Sequence, residues 1–317
     1  MSVYVPYISV RPSRITFYEK YESSYTKSPL AKSRSEENLK ENRPDPKLSK
    51  KAARRIKDAI DWLLFLAADK KAYSEKHGRY YKFKVTFITL TLSSSQIHDD
   101  RIIKSKLLNS FLTLAKTKWK VSKYLWRAEP QKNGNIHFHL ITDRFIPWDE
   151  LRDTWNRIQN KLGYVDRYQA KFRDMSFDDY LQNYPVTKFV SRSKRLTAWK
   201  NGQACGWSSP NSTDIHSVIR IGNLAAYLAK YCTKKSTGRE ILGDLWRLSY
   251  SLSNLKSAVT CVYSDLENEV GVIIEKYFKA FTKYSYCSVL YVSIYDVLKH
   301  PSKHIKTLLN EYVIQHI

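Results

Sequence analysis

Residues 120–143 read KVSKYLWRAEPQKNGNIHFHLITD. Two runs rich in apolar residues, Lys120 to Glu129 and Asn135 to Asp143, flank Gln131-Lys132-Asn133-Gly134. Asn-Gly between such runs is a strong local signal for a β-hairpin, because glycine accepts the positive φ that the turn demands. In the second run Ile136, Phe138 and Leu140 alternate with His137 and His139. Successive strand side chains point to opposite faces. The apolar three therefore meet a core, and the two imidazoles share the other face. Imidazole is a common ligand of divalent metals, and a carboxylate completes such a set. The hairpin brings the first strand alongside, which makes Glu129 the third candidate ligand. Two ordinary half-buried histidines would read the same way, because short motifs have many chance matches. His98, Asp214 and His216 are weaker ligand candidates.

Outward from the hairpin, the periods place the other elements. Tyr81 to Leu92 alternates and is rich in β-branched and aromatic residues, which predicts a strand. Arg101 to Lys118 and Pro147 to Leu162 have helical spacing, the latter with Trp148 and Trp155 on a core-facing stripe. Asp214 to Arg220 predicts a further strand and Asn223 to Lys234 a helix. Residues 163–210 show no clear period. A hairpin set among separate helices predicts an α+β fold, an antiparallel sheet with helices packed on it. Before this region, Val3 to Val10 and Ile15 to Tyr18 read as short strands or arm segments. Residues 22–50 read as a flexible linker, and Lys50 to Tyr73 as a helix capped by Ser49. After it, Val270 to Ile274 and Ser288 to Val297 read as strands and Lys303 to Val313 as a final helix. The expected division is an N-terminal extension over 1–48, a central domain over 49–249 and a C-terminal α/β extension over 250–317.

A second chemical signal is Ala225-Ala226-Tyr227-Leu228-Ala229-Lys230-Tyr231-Cys232-Thr233-Lys234-Lys235. On a helix Tyr227 and Tyr231 stack at i and i+4, and Lys230 and Lys234 border the same face. Lysine charge favours phenolate, and tyrosine serves as a covalent nucleophile in some enzymes. In a chain with 23 tyrosines, the pair reads equally well as two amphipathic core residues.

Phe87-Ile88-Thr89-Leu90-Thr91-Leu92, then His137-Phe138-His139, then Tyr227 to Tyr231, occur in the order of the three motifs of HUH endonucleases. Over roughly residues 81–236 the chain resembles that superfamily, and within it the rolling-circle replication initiators of microvirus-type single-stranded DNA phages. The resemblance implies an RRM-like antiparallel core. It implies Mg²⁺ or Mn²⁺ on His137, His139 and Glu129. It implies that Tyr227 and Tyr231 are alternating nucleophiles, with Lys230 beside them. The implied reaction nicks and rejoins origin DNA through a 5′-phosphotyrosine and leaves a 3′-hydroxyl primer.

Charge agrees with a polyanionic partner. The formal net charge is +24, and residues 81–250 hold 29 basic against 14 acidic side chains. The last 67 residues hold 7 against 6. Within residues 186–209, Lys188, Arg192, Lys194, Arg195 and Lys200 interleave with Phe189, Trp199 and Trp207, a pattern suited to single-stranded DNA. Lys234 and Lys235 extend the basic set beyond the tyrosines. An ordinary surface with two packed tryptophans is the alternative for residues 186–209. No GxxxxGK[ST] loop is present, so unwinding and synthesis are expected from a host helicase and DNA polymerase. Four scattered cysteines without a CxxC pair, and no signal peptide, suit a reducing bacterial cytoplasm. No apolar run is long enough to span a bilayer. Two other functions remain open: a two-tyrosine HUH transposase, and a non-catalytic binder of single-stranded nucleic acid.

Overall fold

The computed structural model describes residues 3–22, 50–74, 78–217 and 239–255, the short segments 258–261, 281–283 and 287–291, and Thr307 and Glu311. The chain divides into two compact units. One includes residues 1–84 and 248–317, and the other Val85–Val218 and Ser236–Arg247. These boundaries differ from the expected ones. Helix 50–66 and both chain ends belong to one unit, because strands near the N-terminus pair with strands near the C-terminus.

In the first unit β1 (Val3–Arg11) and β2 (Arg14–Glu22) form an antiparallel hairpin in register from Val3↔Glu22 to Arg11↔Arg14. Helix α1 (Lys50–Leu66) buries Ile56, Ile60, Leu63 and Leu64 on the predicted face and leaves Arg54, Arg55 and Lys57 exposed. It ends seven residues earlier than its period suggests. Lys70–Ser74 instead forms β3, paired with β4 (Arg79–Phe83). Alternation in a hairpin and the last turn of a helix are hard to distinguish over five residues.

The second unit holds the hairpin. Its sheet begins with β5 (Thr86–Thr91), so the single strand expected over 81–92 is two. A helix, α2, then runs through Asp100–Ile102, a π-helical stretch Ile103–Leu108 and Asn109–Lys118. It leads to β6 (Tyr124–Pro130), the turn, and β7 (Ile136–Thr142). Gly134 adopts φ +85°, the left-handed region that favours glycine, and its N–H donates to Gln131 O at 2.9 Å. Helix α3 (Trp148–Asn160) follows, then α4 (Tyr164–Phe172), α5 (Phe177–Asn183) and α6 (Arg192–Ala204). Strand β8 (Thr213–Ser217) returns to β5, and β9 (Trp246–Leu248) lies beside β6. The spatial order is β8-β5-β7-β6-β9, and the β8–β5, β5–β7 and β7–β6 pairs are antiparallel. The fold is α+β.

Ile88, Leu90, Trp126, Ala128, Phe138 and Leu140 form one face of this sheet, and α2 and α3 cover it with Ile103, Leu107, Phe111, Leu151 and Trp155. Trp155 is fully buried, and its indole N–H donates to Thr91 O at 2.7 Å, which pins α3 to β5. Burial of this apolar face leaves the opposite face for polar side chains. Helices α4 to α6, absent from the periodic reading, close on an aromatic cluster of Phe172, Tyr180 and Trp207. The Phe172 and Trp207 rings stack at 4.7 Å. Aromatic rings at irregular spacing leave no 3.6-residue signature, which explains why the segment reads as aperiodic.

The C-terminal segment contributes α7 (Tyr250–Ser253), β10 (Ala258–Cys261), β11 (Phe281–Lys283) and β12 (Cys287–Tyr291). The first unit's sheet has the order β10-β1-β2-β12-β11. The expected linker over 22–50, the helix over 223–234, the strand over 270–274 and the final helix over 303–313 lie largely or wholly outside the described residues.

Candidate metal centre and nucleic-acid interface

Antiparallel register sets the polar face. Glu129 stands opposite His137, and His137 opposite Thr91. One step along, Arg127, His139, Thr89 and Asp214 form a second row across β6, β7, β5 and β8. Glu129 Oε2 lies 3.7 Å from His137 Nε2 and 3.6 Å from His139 Nε2. The two rings sit 4.5 Å apart. All three side chains are between 12% and 17% exposed, enough for a small ion or a phosphate to reach them.

Two neighbours orient this trio. Thr89 Oγ1 is 3.1 Å from His139 Nδ1. For Nε2 to offer its lone pair to a metal, Nδ1 must carry the proton and donate it to that hydroxyl. Phe87 stacks on the same ring at 5.2 Å. The buried Arg127 guanidinium holds Glu129 Oε1 at 3.0 Å, which turns Oε2 toward the imidazoles. Burial works against the Glu129 charge. The facing imidazoles and Arg127 outweigh it and bring the carboxyl down to about 2. Glu129 is therefore an anionic ligand throughout the neutral range.

The trio fits a hard divalent ion. Two atoms each about 2.1 Å from one ion stand at most about 4.2 Å apart. The two glutamate–imidazole distances fall inside that limit, and the three ligand atoms all lie within 4.8 Å of one another. Two imidazoles and a carboxylate suit a divalent transition metal or Mn²⁺, and Mg²⁺ is compatible with the carboxylate. Among the described residues this is the cluster of His, Cys, Asp or Glu with ligand spacing. The weaker candidates stand apart from it. His98 packs on Tyr164, with Nδ1 3.2 Å from the phenol oxygen. Asp214 is exposed two strands from His139, and His216 pairs in register with Phe87.

Residues 85–236 match the family model of the replication-associated protein ORF2. The match begins where the second unit begins, at Val85. It spans the trio and supports a role in rolling-circle DNA replication, with single-stranded origin DNA as the implied partner. An endonuclease-type enzyme is what such a family suggests. No curated protein and no solved structure matches the chain.

Tyr227, Lys230, Tyr231, Lys234 and Lys235 lie outside the described residues. The basic residues of 186–209 fall on and before α6. Lys188, Arg192, Lys194 and Lys200 are exposed, and Arg195 is half-buried. Lys188 Nζ lies 5.0 Å over the ring of Phe189, which is 76% exposed. The tryptophans behave otherwise. Trp207 is buried, and a methyl on Gly202 would stand 2.5 Å from its ring. Trp199 is half-buried against Phe177 and donates its N–H to Met175 O at 3.1 Å. Both hold the three helices together, so the exposed aromatic of this stretch is Phe189. Among the described residues no helix is long and apolar enough to cross a membrane.

A contact network that the sequence did not signal buttresses the hairpin. Arg239 Nη1 and Nη2 each reach a carboxylate oxygen of the buried Asp100 at 2.7 Å. Its Nε donates to Gly134 O at 2.6 Å, on the turn that joins the ligand strands. Gln96 Oε1 accepts from both Arg239 Nη2 and Ile136 N. The chain just after the tyrosine segment is thereby fastened to the ligand hairpin.

Proposed function

We propose that the chain is a rolling-circle replication initiator that nicks and rejoins single-stranded origin DNA. The observation that supports it most is Glu129, His137 and His139 gathered on the open face of an antiparallel sheet, inside the segment that matches a replication-associated family. A bound Mg²⁺ or Mn²⁺ would polarise the scissile phosphate and offset charge in the transition state. Arg127 and Thr89 keep the ligands in position for that ion. The phenol oxygen of Tyr227 attacks phosphorus and the P–O3′ bond breaks. The phenol proton is lost and the 3′-oxygen gains one, leaving a 5′-phosphotyrosine and a 3′-hydroxyl. Tyr231 acts in the second cleavage, and Lys230 favours the phenolate. Because the phosphotyrosine retains the bond energy, rejoining needs no nucleotide. A host helicase and DNA polymerase complete the cycle, and the functional likeness is to initiators of microvirus-type phages.

The test is incubation with single-stranded oligonucleotides from the replicon and Mn²⁺, followed by denaturing electrophoresis. A detergent-resistant protein–DNA adduct is expected, lost in His139→Ala and in the Tyr227→Phe/Tyr231→Phe double variant. No adduct with any strand would leave a non-catalytic binder. An adduct that survives the double variant would move the nucleophile elsewhere.

A further inference from the structure

Beside the metal trio the sheet edge opens into a groove of about 600 Å³. Its walls include Thr89, Thr91, Trp148, Arg152, Asn211 and Asp214. Thr91 and Thr89 are the cross-strand partners of His137 and His139, and Thr89 is bonded to the His139 ring. Opposed antiparallel residues lie about 5 Å apart, so the groove starts one strand away from the metal ligands.

The far side of the groove is unlike the rest of α3. The helical period puts Trp148 with Trp155 on the core stripe, yet Trp148 is 58% exposed while Trp155 is fully buried. Trp148 opens the helix after Pro147, ahead of the turns that pack on the sheet. Arg152, one turn on, lays its guanidinium 4.8 Å from the Trp148 ring and donates to Asn211 Oδ1 at 3.1 Å. The Nε of Arg152 is buried and has no hydrogen-bond partner. A large apolar ring held open to solvent and a cation with an unused buried donor leave two costs unrepaid. A nucleotide meets both, since a base stacks on indole and a phosphate accepts from guanidinium. Asn211 supplies an amide for the base edge, and a volume of this size suits one nucleotide.

We infer that this groove is a stacking subsite for one unpaired nucleotide of the single strand, seated on Trp148 and held at its phosphate by Arg152. A nucleotide there sets the adjoining phosphate toward the Glu129–His137–His139 trio. The subsite thus selects unpaired over duplex DNA, whose bases are already stacked. This inference deepens the nicking proposal and rests on single-stranded DNA as the partner.

The test measures binding of a fluorescein-labelled 15-nucleotide strand of mixed sequence by anisotropy, in EDTA, so that metal-dependent chemistry plays no part. Stacking losses of this kind weaken binding by about ten- to a hundredfold. Trp148→Ala is expected to show a loss in that range, Trp148→Phe to retain most of the affinity, and Arg152→Gln to lose affinity and salt dependence together. Because Trp148 is exposed, the variants should keep the wild-type circular dichroism. Photocrosslinking of a 5-iododeoxyuridine strand should map to Trp148 by peptide mass spectrometry. Unchanged affinity in Trp148→Ala, or crosslinks only elsewhere, would overturn the subsite. The two proposals fail separately. Weakened binding in Trp148→Ala without any covalent adduct in the wild type keeps the subsite and removes nicking. Adduct formation and binding both unaffected by Trp148→Ala removes the subsite and keeps nicking.

Discussion

Replacing Asp100 or Arg239 by alanine tests how the ligand hairpin is supported. Asp100 is 1% exposed, and its carboxylate accepts from both Arg239 terminal nitrogens, from Gln96 Nε2 at 2.9 Å and from Leu242 N at 2.9 Å. Removing one member of a buried ion pair costs about 3–5 kcal/mol. Arg239 is 36% exposed, so water recovers part of its interaction and the lower end applies. Asp100→Ala also orphans the Leu242 N–H, so about 3–4 kcal/mol is expected. Arg239→Ala leaves a buried carboxylate with two neutral donors, at about 3 kcal/mol. The double variant should cost less than the sum, with a coupling of about 2 kcal/mol from the two charge-assisted bonds. The assay is urea unfolding read by amide hydrogen exchange in peptides from β6 and β7, which isolates the unit that holds the pair. With a slope of about 2 kcal/mol per molar urea, Asp100→Ala should lower the midpoint by about 1.5–2 M. The effect has a pH signature. Burial opposes the charge on Asp100, but the Arg239, Gln96 and Leu242 bonds outweigh it and hold the carboxyl below its ordinary value of 3.8. A depressed carboxyl stabilises above its unfolded value and loses that contribution as pH falls through the folded one. The gap between wild type and Asp100→Asn should therefore be full at pH 7 and shrink below about pH 4. A coupling under about 0.5 kcal/mol, the usual limit of additivity, would refute the idea that this pair buttresses the hairpin.

Other outcomes follow from single contacts. Thr89→Val removes the hydroxyl beside His139 Nδ1 and should weaken Mn²⁺ binding by about ten- to a hundredfold in titration calorimetry; unchanged affinity would show that the ring needs no such orientation. Gly202→Ala puts a methyl 2.5 Å from the Trp207 ring and should destabilise the α4–α6 cluster by about 1–3 kcal/mol, seen as faster hydrogen exchange in α6. Asp61 is 3% exposed, and burial pushes its carboxyl up to about 6. Its neutral form is favoured in the fold, so this group costs stability as pH rises through 6. Asp61→Asn should raise the melting temperature at pH 8 and change little at pH 4, the pH 8 gain being at most about 3 kcal/mol. A gain of equal size at both pH values would point to packing instead.

The sequence alone determined the ligand trio. Strand alternation puts His137 and His139 on one face, and Asn133-Gly134 closes the hairpin that returns Glu129 to them. These relations span fewer than a dozen residues and depend only on backbone period. The same local logic predicted the buried faces of α1 and α2 and the burial of Trp155, and it failed where a local pattern was weak or ambiguous. The end of α1 gave way to β3, and the aromatic cluster of α4 to α6 has no period to read. Tertiary structure alone decided what surrounds the trio. Trp148 shares a helical stripe with Trp155, but the sheet reaches only the later turns of α3, so one indole is core and the other faces a groove. Arg239 lies 139 residues from Asp100 and 105 from Gly134, and no periodicity connects them. Such pairs exist because the closed sheet brings distant segments to one edge, where a buried carboxylate must find its cation.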